Sequence, residues 1–246
     1  MRYLIGIDDT DNLETRGTGH HARDLANTLS ARRLAEIEGI TRHQLLVDPR
    51  IRYTSHNSSA CLTVEAQPDR LEALIETCRQ FLSTESAPGS DAGLCVAEWS
   101  RTSTAVQHFG QRAKRDILTM ADALTLAQDE LLVLEGLTGD HGGVIGALAA
   151  VGLRAAGNDG RFLWLTGLRE LSGIYVADQL RRVTPIELIQ TIEGADVPPA
   201  DRIEMGEWVR PLLKHGCPLL LVEEAQGHDE YEWRVIAKDV VKKLSN

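Results

Sequence analysis

The feature that most constrains the fold is an apolar run at the start of the chain that ends abruptly in carboxylates. Residues 2–7 read Arg-Tyr-Leu-Ile-Gly-Ile, and Asp8, Asp9 and Asp11 follow directly. The length and apolar composition of the run are typical of a buried β-strand. Neighbouring negative charges repel one another unless solvent or a cation screens them. The strand is therefore expected to end at an accessible edge of a sheet.

Strand-like and helix-like patterns alternate after this run. Apolar residues recur at helical spacing in 22–29 and in 71–82, and strand-like runs occupy 60–65 and 94–97. A strand, a helix and a strand within about forty residues favour a split β-α-β unit of the ferredoxin-like kind, here at about 50–100. The patterns therefore predict the fold class α/β, or α+β.

More local signals place individual elements. Gly39 offers a stop for the first helix, which leaves 44–47 as the second strand. Thr184 followed by Pro185 has the pattern of a capping residue with proline in the first turn, so a helix is expected to begin there. After residue 199, three short strands are expected at about 207–213, 218–223 and 231–237, separated by turn signals.

Composition argues against several classes of protein. The 246 residues carry 26 basic and 36 acidic side chains, a formal charge of −10, which disfavours a general nucleic-acid coat protein. No secretory signal precedes Asp8, and the longest nearly apolar run, 144–153, is about half of a membrane span. A cytoplasmic protein without membrane contact is expected. Two local basic groups remain candidates for contact with RNA: Arg112, Lys114 and Arg115, and Lys238, Lys242 and Lys243.

The four cysteines do not suggest a metal ribbon or a disulfide framework. They are widely separated and form no C-x-x-C pair. The simplest interpretation is that they are reduced, buried thiols. These positions are Cys61, Cys78, Cys95 and Cys217.

The acidic cluster is followed by a glycine loop that opens a helix. Carboxylates at the carboxyl end of a strand, beside such a loop, often hold Mg²⁺ against phosphate oxygens. Asp8, Asp9 and Asp11 are therefore candidate metal ligands, and Gly17 and Gly19 would let the backbone approach an anion. The alternative is that the acidic loop only caps a helix and forms turns.

A second glycine loop, residues 136–143, precedes a helix rich in small residues. Gly142 and Gly143 are candidate anion ligands, and the alternative is a tight turn that permits close helix packing. Neither loop matches a P-loop, and neither contains a lysine. Arg16 is therefore the nearest candidate to neutralise a phosphate.

Acid–base chemistry has one candidate near the acidic loop. His20 and His21 are adjacent, so they face different sides of a helix and at most one faces the loop. His20 is assigned as the candidate acid or base. His56 and His141 lie in polar loops, where a solvated surface role is the simpler interpretation.

A haloacid-dehalogenase-type phosphatase is disfavoured because Gly6 falls at the position where that family has its nucleophilic aspartate.

The chain resembles the isoleucine-tRNA agmatinylcytidine synthetase family over roughly residues 1–175. The most specific motif is Gly-Ile-Asp-Asp-Thr-Asp at 6–11, followed by a Gly-Thr pair. The supporting motifs occur in the family's order, and they are Asp-Pro-Arg-Ile at 48–51, the polar turn at 55–57, Ala-Pro-Gly at 87–89 and the small-residue run at 143–152.

The resemblance implies a kinase-like α/β domain, accompanied by a ferredoxin-like element, that binds ATP and Mg²⁺. In the family this domain activates a tRNA cytidine by phosphorylation before agmatine displaces the phosphate. The resemblance assigns residues 1–175 to ATP binding and leaves 176–246 as a smaller α+β region. Thr18 matches a family threonine that accepts phosphate or acts in catalysis. The predicted catalytic residues are Asp8, Asp9, Thr18 and His20, and the predicted nucleotide-binding residues are Gly6, Thr10, Arg16, Gly17, Gly19, Gly142 and Gly143.

Two departures from the family narrow the functional prediction. Family members that modify tRNA carry a barrel and a cysteine zinc ribbon, and this chain has no ribbon cysteines. Ser55 and His56 precede Asn57 where the family tends to show Arg-Gly. We therefore expect a shortened relative, a Mg²⁺-dependent ATP-using enzyme acting on a small molecule or an RNA, compatible with a homo-oligomer. The alternatives are a non-catalytic nucleotide or anion sensor and a tRNA-modifying enzyme that keeps the family substrate.

Overall fold

The structure is a computed structural model that describes residues 1–53, 56–227 and 230–245. Ser55, part of the polar turn named above, lies outside these residues. The chain divides into two compact units, Met1–Ala156 and Gly157–Asn246. The boundary predicted between 175 and 176 falls inside the second unit.

The first unit is built on antiparallel strands in the order β5-β4-β1-β3-β2. Strand β1 lies between β3 and β4, which are joined through a helix, so this segment is the split β-α-β unit that the sequence predicted. The predicted α/β class is confirmed. The strands are β1 (Arg2–Asp8), β2 (Glu36–Gln44), β3 (Ser58–Glu65), β4 (Gly93–Glu98) and β5 (Val133–Gly136).

Helices cover both faces of this part of the sheet. Residues along β1 point alternately to the two faces. Leu4 belongs to the core cluster with α5 (Val144–Ala156), whereas Tyr3 lies beside Leu71 and Ile75 of α2 (Leu71–Glu85). The first unit contains α1 (Thr18–Ala31), α2 (Leu71–Glu85), α3 (Thr104–Arg112), α4 (Met120–Asp129) and α5 (Val144–Ala156). Helices α1 and α2 contact each other, and α3 and α4 contact α5.

Glycines let α5 lie very close to the sheet. A Cβ added at Gly6 would lie 2.0 Å from the carbonyl oxygen of Ala147, and one added at Gly93 would lie 2.2 Å from the carbonyl carbon of Gly143. Real Cβ atoms do not approach other atoms this closely, so any side chain there would push the helix away. The close packing places the start of α5 beside the end of β1.

Three local predictions are wrong, the first being the second strand, which is β2 at Glu36–Gln44 and not the predicted 44–47. Gly39 does not end a helix, because α1 ends at Ala31 and Gly39 lies inside β2, where the pairing with β3 shifts at a bulge. Glycine is common at bulges because it tolerates irregular backbone. Thr184 does not start a helix. It ends one, since its extended backbone before Pro185 terminates the preceding helix.

The second unit is a smaller α+β assembly with its own core. Its strand order is β6-β10-β11-β12-β9-β7, with β8 pairing with β11. Strands β11 and β12 match two of the three strands predicted after residue 199, whereas β10 shares only residues 212 and 213 with the predicted 207–213, and β9 was not predicted. The elements are β6 (Arg161–Leu165), β7 (Ile174–Val176), α6 (Ala177–Val183), β8 (Leu188–Gln190), β9 (Arg202–Glu204), β10 (Leu212–Lys214), β11 (Cys217–Glu224), β12 (Trp233–Val235) and α7 (Lys238–Leu244).

The cysteine prediction is confirmed for three of the four positions. Cys61, Cys78 and Cys95 are buried free thiols, whereas Cys217 is a free thiol that is partly exposed. Within the described part of the chain, no helix has the length and apolar character needed to cross a membrane.

Candidate active site

A cavity of about 270 Å³ opens in the first unit where β1 ends. Five aspartates contribute to its wall, and side chains from the loop between β2 and β3 line it as well. An apolar part of the wall comes from Ala113, Ile117 and Leu118, and from Ile145 of α5. The residues that line the cavity include Asp8, Asp9, Asp11, Thr18, Leu45, Arg50, Arg52, Tyr53, His56, Asn57, Asp91, Asp116, Ile117, Leu118, Gly142, Gly143, Ile145 and Gly146.

Asp8 is the last residue of β1, and its carboxylate is packed against the first turn of α5. A Cβ added at Gly146 would lie 1.8 Å from Asp8 Oδ2, so glycine at that position makes room for the carboxylate. The pKa of Asp8 is raised to about 8, chiefly by burial and in addition by the charges of Asp9 and Asp11. A carboxyl group in this setting is destabilised as an anion unless a cation is present.

Asp9 follows in the left-handed region, with a φ of 51°. Aspartate adopts this conformation more readily than most residues. The pKa of Asp9 is raised to about 6, chiefly by burial and also by the charges of Asp91 and Asp11, whereas Arg52 acts to lower it. Asp8 and Asp9 are therefore two carboxyl groups whose pKa values are both raised at the mouth of one cavity.

Asp91 is a site residue that the sequence analysis missed. Its buried carboxylate accepts a 2.7 Å hydrogen bond through Oδ1 from the backbone N–H of Asp140. Arg52 Nη1 lies 3.8 Å from Asp91 Oδ2 and 3.7 Å from Asp140 Oδ2. A signal for it exists, because Gly93 pairs with Asp8 across antiparallel strands, which puts the residues before β4 beside those after β1.

Thr18, the first residue of α1, lies in a buried hydrogen-bonded group. Its hydroxyl donates to Asp11 Oδ1 at 2.9 Å and accepts from the hydroxyl of Thr10 at 3.2 Å. The Thr10 hydroxyl is also 2.8 Å from His21 Nδ1. Thr10, Asp11 and Thr18 are all buried, so these bonds are shielded from competing water.

His20, by contrast, faces away from the cavity. Its Nε2 is 3.2 Å from Asp24 Oδ2 and 3.0 Å from Arg16 Nη1, and its Nδ1 is 3.2 Å from Arg23 Nη2. Arg16 is exposed and bonds His20 rather than the acidic group. The histidine that reaches the acidic loop is His21, three residues after Thr18 and hence on the same helix face.

The two glycine loops differ in what their glycines do. Gly17 caps α1 without a side-chain hydrogen bond, and Gly19 lies in the first turn. At α5, the N–H of Gly143 donates to the Asp91 carbonyl at 2.9 Å, and that of Ile145 to the Gly142 carbonyl at 3.3 Å. Close packing of α5 therefore explains why residue 143 is a glycine. The anion contact predicted for Gly142 and Gly143 stays a prediction. Gly6 lies inside the sheet under α5.

The donor set suits Mg²⁺ bound together with a phosphate. Among the described residues, no three His, Cys, Asp or Glu side chains are placed to hold a metal ion between them. Mg²⁺ in nucleotide sites is commonly held by one or two carboxylates, waters and substrate phosphates rather than by a cage of protein ligands. Asp8 and Asp9, whose ionised forms are disfavoured by burial and repulsion, fit that smaller set.

Comparison with known proteins identifies the type of fold. The structure of apo TiaS, a tRNA agmatidine synthetase, is similar at a TM-score of 0.53 and 23% identity, over 62% of this chain and 35% of that chain. A structure described as a tRNA fluorescent labelling enzyme has a TM-score of 0.54 and 24% identity, over 62% and 36%. The complex of TiaS with tRNA and ATP has a TM-score of 0.54 and 23% identity, over 62% and 36%.

The likeness defines this chain as a mixed α/β protein with a TiaS-like fold. No family model matches the chain, and no curated protein matches it by sequence. The part of the solved chains that is matched amounts to about a third of their length. Identities below 25% establish the fold and leave the activity to be argued from the site.

Proposed function

We propose that this protein is a Mg²⁺-dependent, ATP-using enzyme that transfers a phosphoryl group in the cavity at the end of β1. The observation that carries the proposal is the Thr18 hydroxyl, which lines the cavity and donates to Asp11 beside Asp8 and Asp9. A hydroxyl bonded to a carboxylate is the arrangement that an oxygen nucleophile needs. A helix cap alone would not require the buried carboxylates around it.

Each group in the cavity has a distinct task in this proposal. Asp8 and Asp9 hold Mg²⁺, which when bound offsets the negative charge of the triphosphate. Arg50 and Arg52, on the opposite loop, neutralise phosphate oxygens, the task that the sequence analysis gave to Arg16. Leu45 and Ile145 belong to the apolar part of the lining, which suits a base or the carbon skeleton of a substrate.

Thr18 is the phosphoryl acceptor in the proposed reaction. Its Oγ1 forms a bond to the γ-phosphorus of ATP, and the bond from that phosphorus to the β,γ-bridging oxygen breaks, so ADP leaves. The hydroxyl proton passes to Asp11, which lies 2.9 Å away. The rest of the catalysis is positioning and charge stabilisation, as in phosphoryl transfer generally. The phosphoryl group then passes to an oxygen of the acceptor substrate as the bond between phosphorus and Thr18 Oγ1 breaks. Thr18 regains its proton from Asp11, and the acceptor hydroxyl releases its proton to solvent.

The fold likeness supports ATP as the nucleotide, because similar structures include TiaS complexed with tRNA and ATP. An RNA acceptor has a specific observation in its favour. Arg112, Lys114 and Arg115 are sequence neighbours of Ala113 and Asp116, which line the cavity. Positive side chains beside a catalytic cavity can contact a nucleic-acid backbone. The experiment therefore has to distinguish a small-molecule acceptor from an RNA acceptor.

The test measures ATP binding by calorimetry with and without Mg²⁺, and phosphate transfer with γ-labelled ATP. Asp9→Asn is expected to weaken Mg²⁺-dependent binding by about tenfold or more, as losses in metal sites do. Asp69→Asn removes the same charge at an exposed position outside the cavity and is expected to leave binding unchanged. Thr18→Val keeps the side-chain shape and should bind ATP without forming phosphothreonine.

Three outcomes separate the candidate functions. Labelled phosphate on Thr18, or turnover of ATP, supports the proposed enzyme. Tight binding of ATP without labelling and without turnover supports a non-catalytic sensor. Binding of tRNA that falls steeply with salt and weakens in Lys114→Gln supports an RNA acceptor. Absence of ATP binding by the wild-type protein, with and without Mg²⁺, would overturn the proposal.

A further inference from the structure

His21 ends a chain of hydrogen bonds that reaches the proposed phosphoryl acceptor. The chain runs from His21 Nδ1 to Thr10 Oγ1 at 2.8 Å, from there to Thr18 Oγ1 at 3.2 Å, and on to Asp11 Oδ1 at 2.9 Å. All four residues lie within the described part of the chain, in the acidic loop and the first turn of α1.

The number of hydroxyl protons decides which atom donates in each of these hydrogen bonds. The Thr18 hydroxyl has a single proton, and it donates that proton to Asp11 Oδ1. Thr18 must then accept from Thr10, which uses the only proton of the Thr10 hydroxyl. The remaining contact needs a donor, and His21 Nδ1 is the only atom in it that can provide one. His21 therefore carries its proton on Nδ1.

We infer that His21 is a positioning residue that orders both threonine hydroxyls so that the proton of Thr18 is held against Asp11. The inference rests on the proposed function in one respect, since it gives Thr18 a task that depends on this orientation. His21 touches Thr10 and not the reacting oxygen, so it acts through that residue. Thr10 is thereby a relay, where the sequence analysis assigned it to nucleotide binding.

The surroundings of His21 suit a neutral ring with a fixed tautomer. His21 is half-buried, and burial lowers its pKa from the ordinary value. The charged or titratable groups that act on it are Asp11, His20, Asp24 and Glu85. His20 lies on another side of α1, bonded to Arg16 and Arg23, so it provides a matched control one residue away.

The first experiment reads the tautomer directly and needs no activity. In protein labelled with ¹⁵N-histidine, NMR at pH 8 should show His21 protonated on Nδ1 and not on Nε2. In Thr10→Val, whose side chain accepts no hydrogen bond, the Nδ1–H preference should be lost, and His20 should be unchanged. A wild-type His21 protonated only on Nε2 would overturn the inference, whatever the activity of the protein.

The second experiment compares two replacements of His21. The side-chain amide of Asn can place a donor near the position of Nδ1, whereas Leu fills similar volume without a donor. We expect His21→Leu to slow labelling of Thr18 by about tenfold, the effect of one misplaced hydrogen bond on a rate. The affinity for ATP should stay within about twofold, and His21→Asn should restore most of the rate.

The failure of this inference differs from the failure of the proposed function. If wild-type protein labels Thr18 and His21→Leu labels it equally fast, the inference is wrong and the proposed function stands. If both His21 variants lose the rate equally while thermal unfolding shows them folded, a donor at this position is not what matters, and the inference is again overturned. If the wild type neither binds ATP nor labels Thr18, the proposed function fails and the tautomer measurement alone decides the hydrogen-bond direction.

Discussion

Two glycine-bearing turns precede helices in the first unit, and they have different physical roles. At the start of α1, a Cβ added at Gly17 would meet only Asp11 Oδ2, at an ordinary contact distance of 3.7 Å. At the start of α5, a Cβ added at Gly143 would lie 2.6 Å from both the carbonyl oxygen of Asp91 and the nitrogen of Gly93. The first turn has room for a side chain, and the second has none.

The difference teaches that similar glycine patterns can serve chemistry or packing. The turn before α1 carries a hydroxyl and faces carboxylates, so it is the one with the groups that a reaction needs. The turn before α5 brings a helix against the sheet, and its N–H groups include donors to Asp91, beside β4, and to carbonyls of the turn itself. The acidic cavity depends on both, because close packing of α5 encloses Asp8.

The largest expected effect tests this contrast on stability. Gly143→Ala should lower the free energy of unfolding by about 3 kcal/mol, because the added methyl meets backbone atoms that cannot move away. Gly17→Ala should change it by less than about 0.5 kcal/mol, since a weaker helix cap and a less flexible unfolded chain oppose each other. Urea unfolding of both variants measures the difference, and equal losses would remove the contrast.

The next effect concerns the enclosed carboxyl of Asp8 and depends on pH. Its pKa is raised to about 8 in the folded protein from an ordinary value of 3.8, so the folded state holds a proton that the unfolded state releases as pH rises. Stability of the wild type therefore falls between about pH 4 and pH 8. Asp8→Asn cannot ionise, so its stability advantage over the wild type should be near zero at pH 4 and should grow steadily towards pH 8.

Chemical denaturation in EDTA at the two pH values measures this advantage. Asp69→Asn, an exposed carboxylate elsewhere on the first unit, serves as the charge-matched control and should show no such growth. An advantage of Asp8→Asn that is the same at both pH values would contradict the enclosure of this carboxyl by α5.

A smaller effect concerns two charged loop residues, Asp91 and Arg52, which shift the pKa of Asp9 in opposite directions. The charge of Asp91 raises the pKa of Asp9 and Arg52 lowers it. Asp91→Asn should therefore lower the pKa of Asp9, and Arg52→Ala should raise it. The Arg52 side chain is 77% exposed, so its loss should alter stability by less than about 0.5 kcal/mol. Carboxyl ¹³C titration by NMR checks both directions, and shifts of the same sign would rule out this arrangement.

The smallest expected effect concerns Gly142, which lines the cavity in the turn before α5. A Cβ there would lie 3.8 Å from Asp91 Oδ2, an ordinary contact, so Gly142→Ala should fold as well as the wild type. If this turn serves packing, the dissociation constant for Mg²⁺ and ATP should change by less than about threefold. A larger loss would show that this turn also contacts the nucleotide, as the sequence analysis predicted.

Regular patterns in the sequence predicted much of the first unit. The run at residues 2–7 predicted β1, and the apolar spacing of 71–82 predicted α2, because each pattern reports which side of one element is buried. Gly39 and Thr184 misled because the same residue types serve bulges and helix ends as well as stops and starts. Those roles depend on neighbouring strands and on the residue that follows.

The candidate site was predicted in part for the same reason. Asp8, Asp9, Asp11 and Thr18 are close in sequence, so local spacing is enough to group them. Asp91 and Arg52 come from distant segments and join the cavity only through strand pairing and a loop. The choice of His20 over His21 ignored helical phase, since a residue three positions after Thr18 shares its face and one two positions after does not.

The amino-acid sequence by itself determined that carboxylates crowd the end of the first strand, that a threonine follows within one loop, and that helices and strands alternate. The tertiary structure alone decided which of these groups are enclosed and which distant residues join them. The physical reason is that periodicity and charge spacing act along one segment, whereas burial and hydrogen-bond direction arise only where α5, β4 and the loop after β2 meet the end of β1.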